Sequence, residues 1–92
     1  MITAIVFVKA DVARIPQVAE QIAALDGVSE VYSVTGQIDL IALVRVANHD
    51  DVASVVADQH NKVDGVTATE THIAFRTYSK HDLESAFSLG LD

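Results

Sequence analysis

Cysteine and tryptophan are absent from this chain of 92 residues, and proline occurs once. Without cysteine the chain has no disulfide framework, no thiol nucleophile and no thiolate metal ligand, and a cytoplasmic location is the default expectation. Half of the residues are hydrophobic, which is typical of a packed globular chain and not of a disordered one. The length predicts a single domain over 1–92, small enough that association with a partner chain is favoured.

Membrane and nucleic-acid partners are also not expected. The longest apolar run falls far short of the ~20 residues that a membrane-spanning helix needs, and no export signal is visible. Only six residues are Lys or Arg against thirteen Asp or Glu, which gives a formal net charge of −7. Because phosphate backbones repel such a surface and the cations form no basic stripe, direct binding of DNA or RNA is not predicted.

The chain carries an internal repeat with an offset of 38 residues, since "ITAIVFV" from Ile2 matches "LIALVRV" from Leu40, and "DGVSEV" from Asp26 matches "DGVTAT" from Asp64. The residues between these segments have apolar positions at helical spacing, so each half is predicted to be strand, helix, strand. The predicted elements are β1 at 2–9, α1 at 13–25, β2 at 28–35, β3 at 38–46, α2 at 49–62, β4 at 66–78 and a short helix at about 80–89.

The predicted helix boundaries have local signals. Pro16 suits the first turn of α1, where its missing N–H costs little. Asn48 is predicted to cap α2 at its N-terminus. Each helix is followed by Asp-Gly, and we expect Gly27 and Gly65 to supply the positive φ that helix ends commonly need.

Two βαβ halves in tandem predict an α+β fold of the ferredoxin-like type, a βαββαβ sandwich. Its four-stranded antiparallel sheet would have β1 and β3 at the centre and both helices on one face. Alternate residues of β1 are apolar in both sets, for example Ile5 and Val6, and β3 repeats this pattern, whereas a sheet face left in water should be polar. Because monomers rarely expose so large an apolar surface, we expect a homodimer that packs through the open sheet face.

Catalytic and metal-binding patterns are weak in this sequence. The four histidines fall at no ligand spacing on one element, and they are His49, His60, His72 and His81. His49 and the two Asp residues after it are typical of a helix start, and His72 beside Glu70 fits either a surface strand or the rim of a pocket. No nucleophile turn and no phosphate-binding glycine loop is present. We therefore predict no metal, no cofactor and no catalytic residue.

The segment "VTGQID" at 34–39 joins two apolar strands and places a carboxylate, Asp39, close to the start of β3. In one interpretation it is a plain hairpin in which Asp39 accepts hydrogen bonds from its own turn amides. In the other it is a ligand cradle, in which N–H groups around Gly36 hold a carboxylate and Asp39 pairs with an ammonium. A free amino acid carries those two groups. On β4, Thr69 and Thr71 share one face, either from strand propensity alone or as the lining of a polar pocket.

Three segments carry a family resemblance: "GVSEVYSVTGQIDLIALVRV" at 27–46, "HDDVASVV" at 49–56 and "DGVTATETHI" at 64–73. Together they resemble the effector-binding (RAM) domain of the Lrp/AsnC, or feast/famine, transcription regulators. The resemblance implies a ferredoxin-like dimer, assembly of dimers into octameric or related rings, and a small effector, often an amino acid, bound between dimers near the β2–β3 turn. The residues that it implicates are Thr35, Gly36, Gln37, Ile38 and Asp39, with Thr69 and Thr71 on β4.

Full regulators of this family also carry an N-terminal helix-turn-helix domain, whereas this sequence begins at the first sheet strand. We therefore expect a stand-alone, non-enzymatic sensor of an amino acid or related metabolite that modulates full-length Lrp/AsnC-type regulators by mixed assembly. Ile38 stands where many members have an aromatic residue, which favours an aliphatic ligand. The alternatives are a small dimeric ferredoxin-like enzyme, of the cofactor-free oxygenase or haem-degrading type, and a purely structural oligomerisation module.

Overall fold

The computed structural model describes residues 1–78 and 80, and it has the predicted α+β architecture. The elements are β1 (Ile2–Ala10), a 3₁₀ turn (Val12–Arg14), α1 (Ile15–Ala23), β2 (Val28–Ser33), β3 (Leu40–Val46), α2 (His49–Ala53) and β4 (Val66–Ala74). Neighbouring strands pair antiparallel in the order β2-β3-β1-β4, so β1 and β3 are central, as predicted. The predicted short helix at about 80–89 lies outside the described residues, Lys80 excepted.

The helical segments begin and end with the local chemistry that the sequence predicted. Pro16 lies in the first turn of α1, where its missing N–H removes no helical hydrogen bond. The Asn48 side chain caps α2 by accepting from the Asp51 N–H at 3.0 Å. Gly27 and Gly65 follow the two helical segments with φ of +90° and +102°, a backbone region that glycine enters freely and other residues enter at a cost of about 1–2 kcal/mol.

The predicted α-helix over 49–62 is helical throughout but not uniformly α, so this part of the prediction was wrong. After α2 ends at Ala53, the chain is π-helical over Ser54–Gln59 and 3₁₀ over His60–Lys62. The segment is attached at both ends, because Val52 is buried in the core and the Thr69 hydroxyl donates to Asn61 Oδ1 at 2.8 Å. The π-helical residues lie between these two contacts, and single π turns of this kind occur inside natural helices.

The remaining bounds shift by one to four residues. α1 is shorter than predicted at both ends, and a 3₁₀ turn precedes it. β1 runs one residue further, to Ala10, and β4 ends four residues earlier than predicted. β2 ends at Ser33 and β3 begins at Leu40, so the connection between them, 34–39, is longer than the predicted turn. Its last residue, Asp39, hydrogen-bonds to β1 through both its amide and its carboxylate.

The hydrophobic core lies between the sheet and the helical segments. Its fully buried members are Ala4, Val6 and Val8 on β1, Leu40, Ala42 and Val44 on β3, and Val18 and Ile22 on α1. Each buried side chain of Val, Ile or Leu type contributes roughly 1.5–3 kcal/mol by leaving water. The even-numbered residues of both central strands therefore fix which sheet face the helices cover.

The opposite side of the sheet, the open face, is apolar along its middle. Ile5 pairs with Leu43 and Phe7 with Ile41 across the two central strands, and all four are only half-buried in one protomer. The flanking strands are polar on this face, for example at Glu30 of β2, which lies 3.8 Å from the Arg45 guanidinium. The prediction that β1 and β3 are apolar on both sides is confirmed, and the dimer that it motivates stays a prediction.

Gly65, the residue just before β4, offers a test of how tightly the core between the sheet and α1 is packed. A Cβ on Gly65 would lie 2.8 Å from Val18 Cγ2, whereas a Cβ on Gly36, with φ of +108°, would meet no atom within 4 Å. Both alanine variants acquire backbone strain of about 1–2 kcal/mol. Gly65→Ala should lose a further 1–3 kcal/mol, approximately, from overpacking. Urea unfolding of the two variants measures the difference, and equal losses would contradict this account of the core.

Candidate functional site

The connection 34–39 is anchored to the end of β1 by Asp39. The Asp39 Oδ2 accepts from the Ala10 N–H at 2.9 Å, and the Asp39 N–H donates to the Val8 carbonyl at 3.1 Å. The Asp39 carbonyl in turn accepts from the Val34 N–H at 3.1 Å, which closes the connection. Ala10 lies 29 residues from Asp39 in the sequence, so the carboxylate holds a neighbouring strand, contrary to the plain hairpin interpretation in which it would hold its own turn amides.

The other residues of the connection separate into an exposed tip and an inward residue. Thr35, Gly36 and Gln37 are exposed, and Gly36 has open space around it. Ile38 is half-buried and turns back to the sheet. The tip is therefore placed to meet another molecule, and Ile38 is placed to contact whatever lies at the end of the open face.

A cavity of about 100 Å³ lies where the connection meets β1 and β4, and we refer to it as the corner pocket. Its lining residues are Phe7, Lys9, Ile38, Ala68, Thr69 and Glu70. Phe7 faces Glu70 and Lys9 faces Ala68 across the β1–β4 pair, so these four residues form one block of the open face. The small side chain of Ala68 leaves the space that its neighbours surround.

The corner pocket contains two of the seven residues that the sequence implicated, Ile38 and Thr69. The Thr69 hydroxyl donates to Asn61 Oδ1 at 2.8 Å, so it is already engaged with the segment after α2. Thr69 and Thr71 pair with the buried Val8 and Val6, so both are on the side of the sheet that the helices cover, and Thr71 does not line this pocket. The remaining four lie in the connection, at its tip or at its junction with β1.

Four lining residues were missed by sequence reasoning, and they are Phe7, Lys9, Ala68 and Glu70. The signal was present in part, because strand alternation already placed Phe7 and Lys9 on one face of β1. What was missing was the register of β4 against β1, which pairs Lys9 with Ala68. Without that register no residue of β4 could be assigned to the same end of the face as Ile38.

Of the two charged residues that line the pocket, Lys9 and Glu70, Glu70 lies close to a histidine. The Glu70 carboxylate lies 3.4 Å from His72 Nε2, and the His72 ring lies 5.0 Å from the Phe7 ring at a tilt of 53°. His72 is an exposed residue of β4 that contacts two lining residues and does not itself line the pocket. Within the part of the chain that the structure describes, no group of three or more His, Asp or Glu side chains could hold a metal ion.

The family to which the chain belongs follows from its match to a family model. The model described as the Lrp/AsnC ligand binding domain matches residues 3–83. The chain belongs to this family. The membership confirms the resemblance seen in the sequence and the predicted fold, and because the Lrp/AsnC domain serves transcription regulators, it confirms the non-enzymatic prediction over the oxygenase or haem-degrading alternative. No helix among residues 1–78 and 80 is long and apolar enough to cross a membrane.

Individual relatives of this Lrp/AsnC domain are transcription regulators and solved domains of the same fold. An uncharacterised HTH-type transcriptional regulator of Pyrococcus abyssi is 43% identical over 61 residues, which cover 66% of this chain and 41% of that protein. The crystal structure of a protein from Thermus thermophilus matches with a TM-score of 0.82 and 44% identity, over 87% of this chain and 100% of that one.

A more distant neighbour was solved with a ligand. The feast or famine regulatory protein of Mycobacterium tuberculosis, complexed with L-methionine, matches with a TM-score of 0.70 and 23% identity, over 87% of this chain and 54% of that one. The likeness at this identity is one of fold. The chain thus spans about half the length, or less, of the full regulators that it matches.

The anchoring role of Asp39 can be separated from its charge by two substitutions. Asp39→Ala removes the acceptor of the half-buried Ala10 N–H and should lower the free energy of unfolding by about 1–2 kcal/mol. Asp39→Asn retains an oxygen acceptor and should change it by less than about 0.5 kcal/mol. Urea or thermal unfolding of both variants measures these two changes in the free energy of unfolding. An equal loss in the two would mean that the negative charge, and not the hydrogen bond, holds the connection.

Proposed function

We propose that this Lrp/AsnC domain is a non-enzymatic, oligomeric sensor that binds a free amino acid or a related small metabolite beside the connection 34–39. The observation that carries the proposal is the corner pocket, which joins Ile38 of that connection to the open face. The relatives support the class of function, because the P. abyssi protein is a transcriptional regulator and the M. tuberculosis neighbour was solved with L-methionine.

The chemistry of the pocket and its surroundings suits an amino acid with an apolar side chain. Phe7, Ile38 and Ala68 offer apolar surface for that side chain. Asp39 binds Ala10 through Oδ2, and we assign its other oxygen, Oδ1, to the ligand ammonium. A carboxylate that is already fixed by the backbone loses little conformational freedom on binding, which favours affinity.

Assembly would connect the site to regulation. In this proposal two copies pack through their open faces, dimers associate into an octamer or similar ring, and the exposed tip 35–37 meets a neighbouring dimer. Mixed assembly with full-length Lrp/AsnC-type regulators in the cytoplasm would then transmit the effector signal to transcription. A ligand shifts such an equilibrium only by its difference in affinity between the assembly states, so the site must change between them.

The proposed dimer predicts that charge on the open face is not tolerated. Leu43→Asp places a carboxylate in the middle of that face, opposite Ile5, and burying it in a dimer without a partner costs several kcal/mol. Val12→Asp is the matched control, because Val12 is apolar and 78% exposed in the 3₁₀ turn before α1. Analytical ultracentrifugation at micromolar concentration should show dimers or larger species for the wild type and the control, and monomers for Leu43→Asp. A monomeric wild type would exclude this assembly.

The proposed ligand role of Asp39 is tested by its affinity. A thermal-shift screen of the twenty amino acids identifies those that stabilise the protein by RT ln(1 + [L]/Kd). Calorimetric titration of those ligands should show that Asp39→Asn binds about 10- to 100-fold more weakly, since it loses a charge-assisted hydrogen bond. Asp26→Asn, a change at an exposed carboxylate after α1, should leave the affinity unchanged. Equal affinity of Asp39→Asn and wild type would leave Asp39 with its anchoring role alone.

A further inference from the structure

The lining of the corner pocket includes one cation, Lys9, whose charge is not matched by any of the residues that the structure describes. Among residues 1–78 and 80, no carboxylate lies within ion-pairing distance of the Lys9 ammonium. The other charged residue of the lining, Glu70, is 3.4 Å from His72 instead. Lys9 is exposed and borders a mainly apolar cavity, so an anionic group that entered the pocket would find an ammonium without a competing partner.

The backbone beside Lys9 is held by the same contact that anchors the connection. The Ala10 amide nitrogen, which lies 2.9 Å from Asp39 Oδ2, is bonded directly to the carbonyl carbon of Lys9. The backbone of Lys9 is therefore adjacent to the Asp39 carboxylate, while its side chain lies on the open face with Phe7. Lys9 lines the corner pocket, and Asp39 directly follows another lining residue, Ile38.

We propose that Lys9 binds the carboxylate of the effector and is the residue that selects free amino acids over their neutral derivatives. This inference rests on the proposed function for the class of ligand. It is an alternative to the sequence-based expectation that the amides around Gly36 hold the carboxylate, and it is favoured because Lys9 lines the pocket and Gly36 does not. With the ammonium at Asp39 and the carboxylate at Lys9, the side chain of the amino acid extends over Ala68 to Phe7.

The assignment is compatible with a dimer through the open face. Ile5 and Leu43 pair in the middle of that face, and Lys9 lies four residues further along β1, a distance of about 13 Å at the rise of an extended strand. The Lys9 end of the corner pocket is therefore at the rim of the proposed interface, next to the connection 34–39, whereas Phe7 belongs to its apolar middle. A ligand there can be reached from solvent and still touch a second copy.

Pairs of acid and amide ligands provide the test. The probes are the twenty free amino acids and, for each one that stabilises the wild type, its α-amide, which keeps the ammonium and the side chain but has no carboxylate. Titration calorimetry of the wild type should show about 10-fold or greater preference for the acid over the amide. Lys9→Met keeps the aliphatic stem of the side chain, and its preference should fall to within about threefold, mainly through weaker binding of the acid.

A control variant separates the role of Lys9 from a general loss of charge or of fold. Lys62→Met removes an exposed cation that does not line the pocket and should retain the wild-type preference. The melting temperature of Lys9→Met without ligand should equal that of the wild type, because Lys9 is exposed.

The outcomes distinguish the two proposals. A wild type that binds amino acids and whose preference for the acid survives in Lys9→Met would overturn the assignment of Lys9 and leave the sensor function standing. A wild type that binds none of the twenty amino acids would overturn amino-acid sensing as the proposed function, and the role of Lys9 with it.

Discussion

Two helical segments can cover only one face of a four-stranded sheet, and in this protein the two central strands are apolar on both faces. The even-numbered residues of β1 and β3 are sealed beneath α1 and α2, as the complete burial of Val6 and Val44 shows. The apolar odd-numbered residues, among them Ile5 and Leu43, are left half-buried in a protomer of 92 residues. Removing the remaining surface of these apolar side chains from water would lower the free energy further. The fold therefore favours a second layer of protein over this face. The polar edges around them limit where that layer can sit.

The topology could be predicted from the sequence because it depends on local, repeated signals. The 38-residue offset, the cap at Asn48 and the glycines after the two helical segments each follow from a few neighbouring residues. These signals determine where elements start and end to within a few residues, and right-handed, short connections then leave few ways to arrange two βαβ units. The winding of 54–62 could not be predicted, because the apolar spacing of this segment indicates a helix without specifying its type, and its hydrogen bond from Thr69 to Asn61 is a contact with the distant strand β4.

Only part of the candidate site could be predicted from the sequence, because the rest depends on contacts between residues that are distant in the sequence. The importance of the connection 34–39 could be read from its sequence, whereas the partner of Asp39 could not, since Ala10 lies 29 residues away and becomes a partner only through the β1–β3 register. Lys9 is a single cation at the end of an apolar strand, and nothing in its sequence neighbours marks it as part of a pocket. Its significance comes from the small Ala68 opposite it and from the engagement of Glu70 with His72. Sites made of residues from several strands need the register before they can be recognised.

The hydrogen bond from Ala10 to a side chain has a consequence for the dynamics of the connection. Most amides of a central strand are protected from exchange with solvent deuterium by the carbonyls of neighbouring strands, and they exchange only when the sheet opens. The Ala10 amide is protected instead by the Asp39 carboxylate, so it becomes exposed whenever the connection 34–39 detaches, even while the rest of the sheet stays closed. The exchange rate of this one amide therefore measures how often the connection opens. Anything that holds the connection in place, whether a small molecule or a neighbouring subunit, acts directly on that rate.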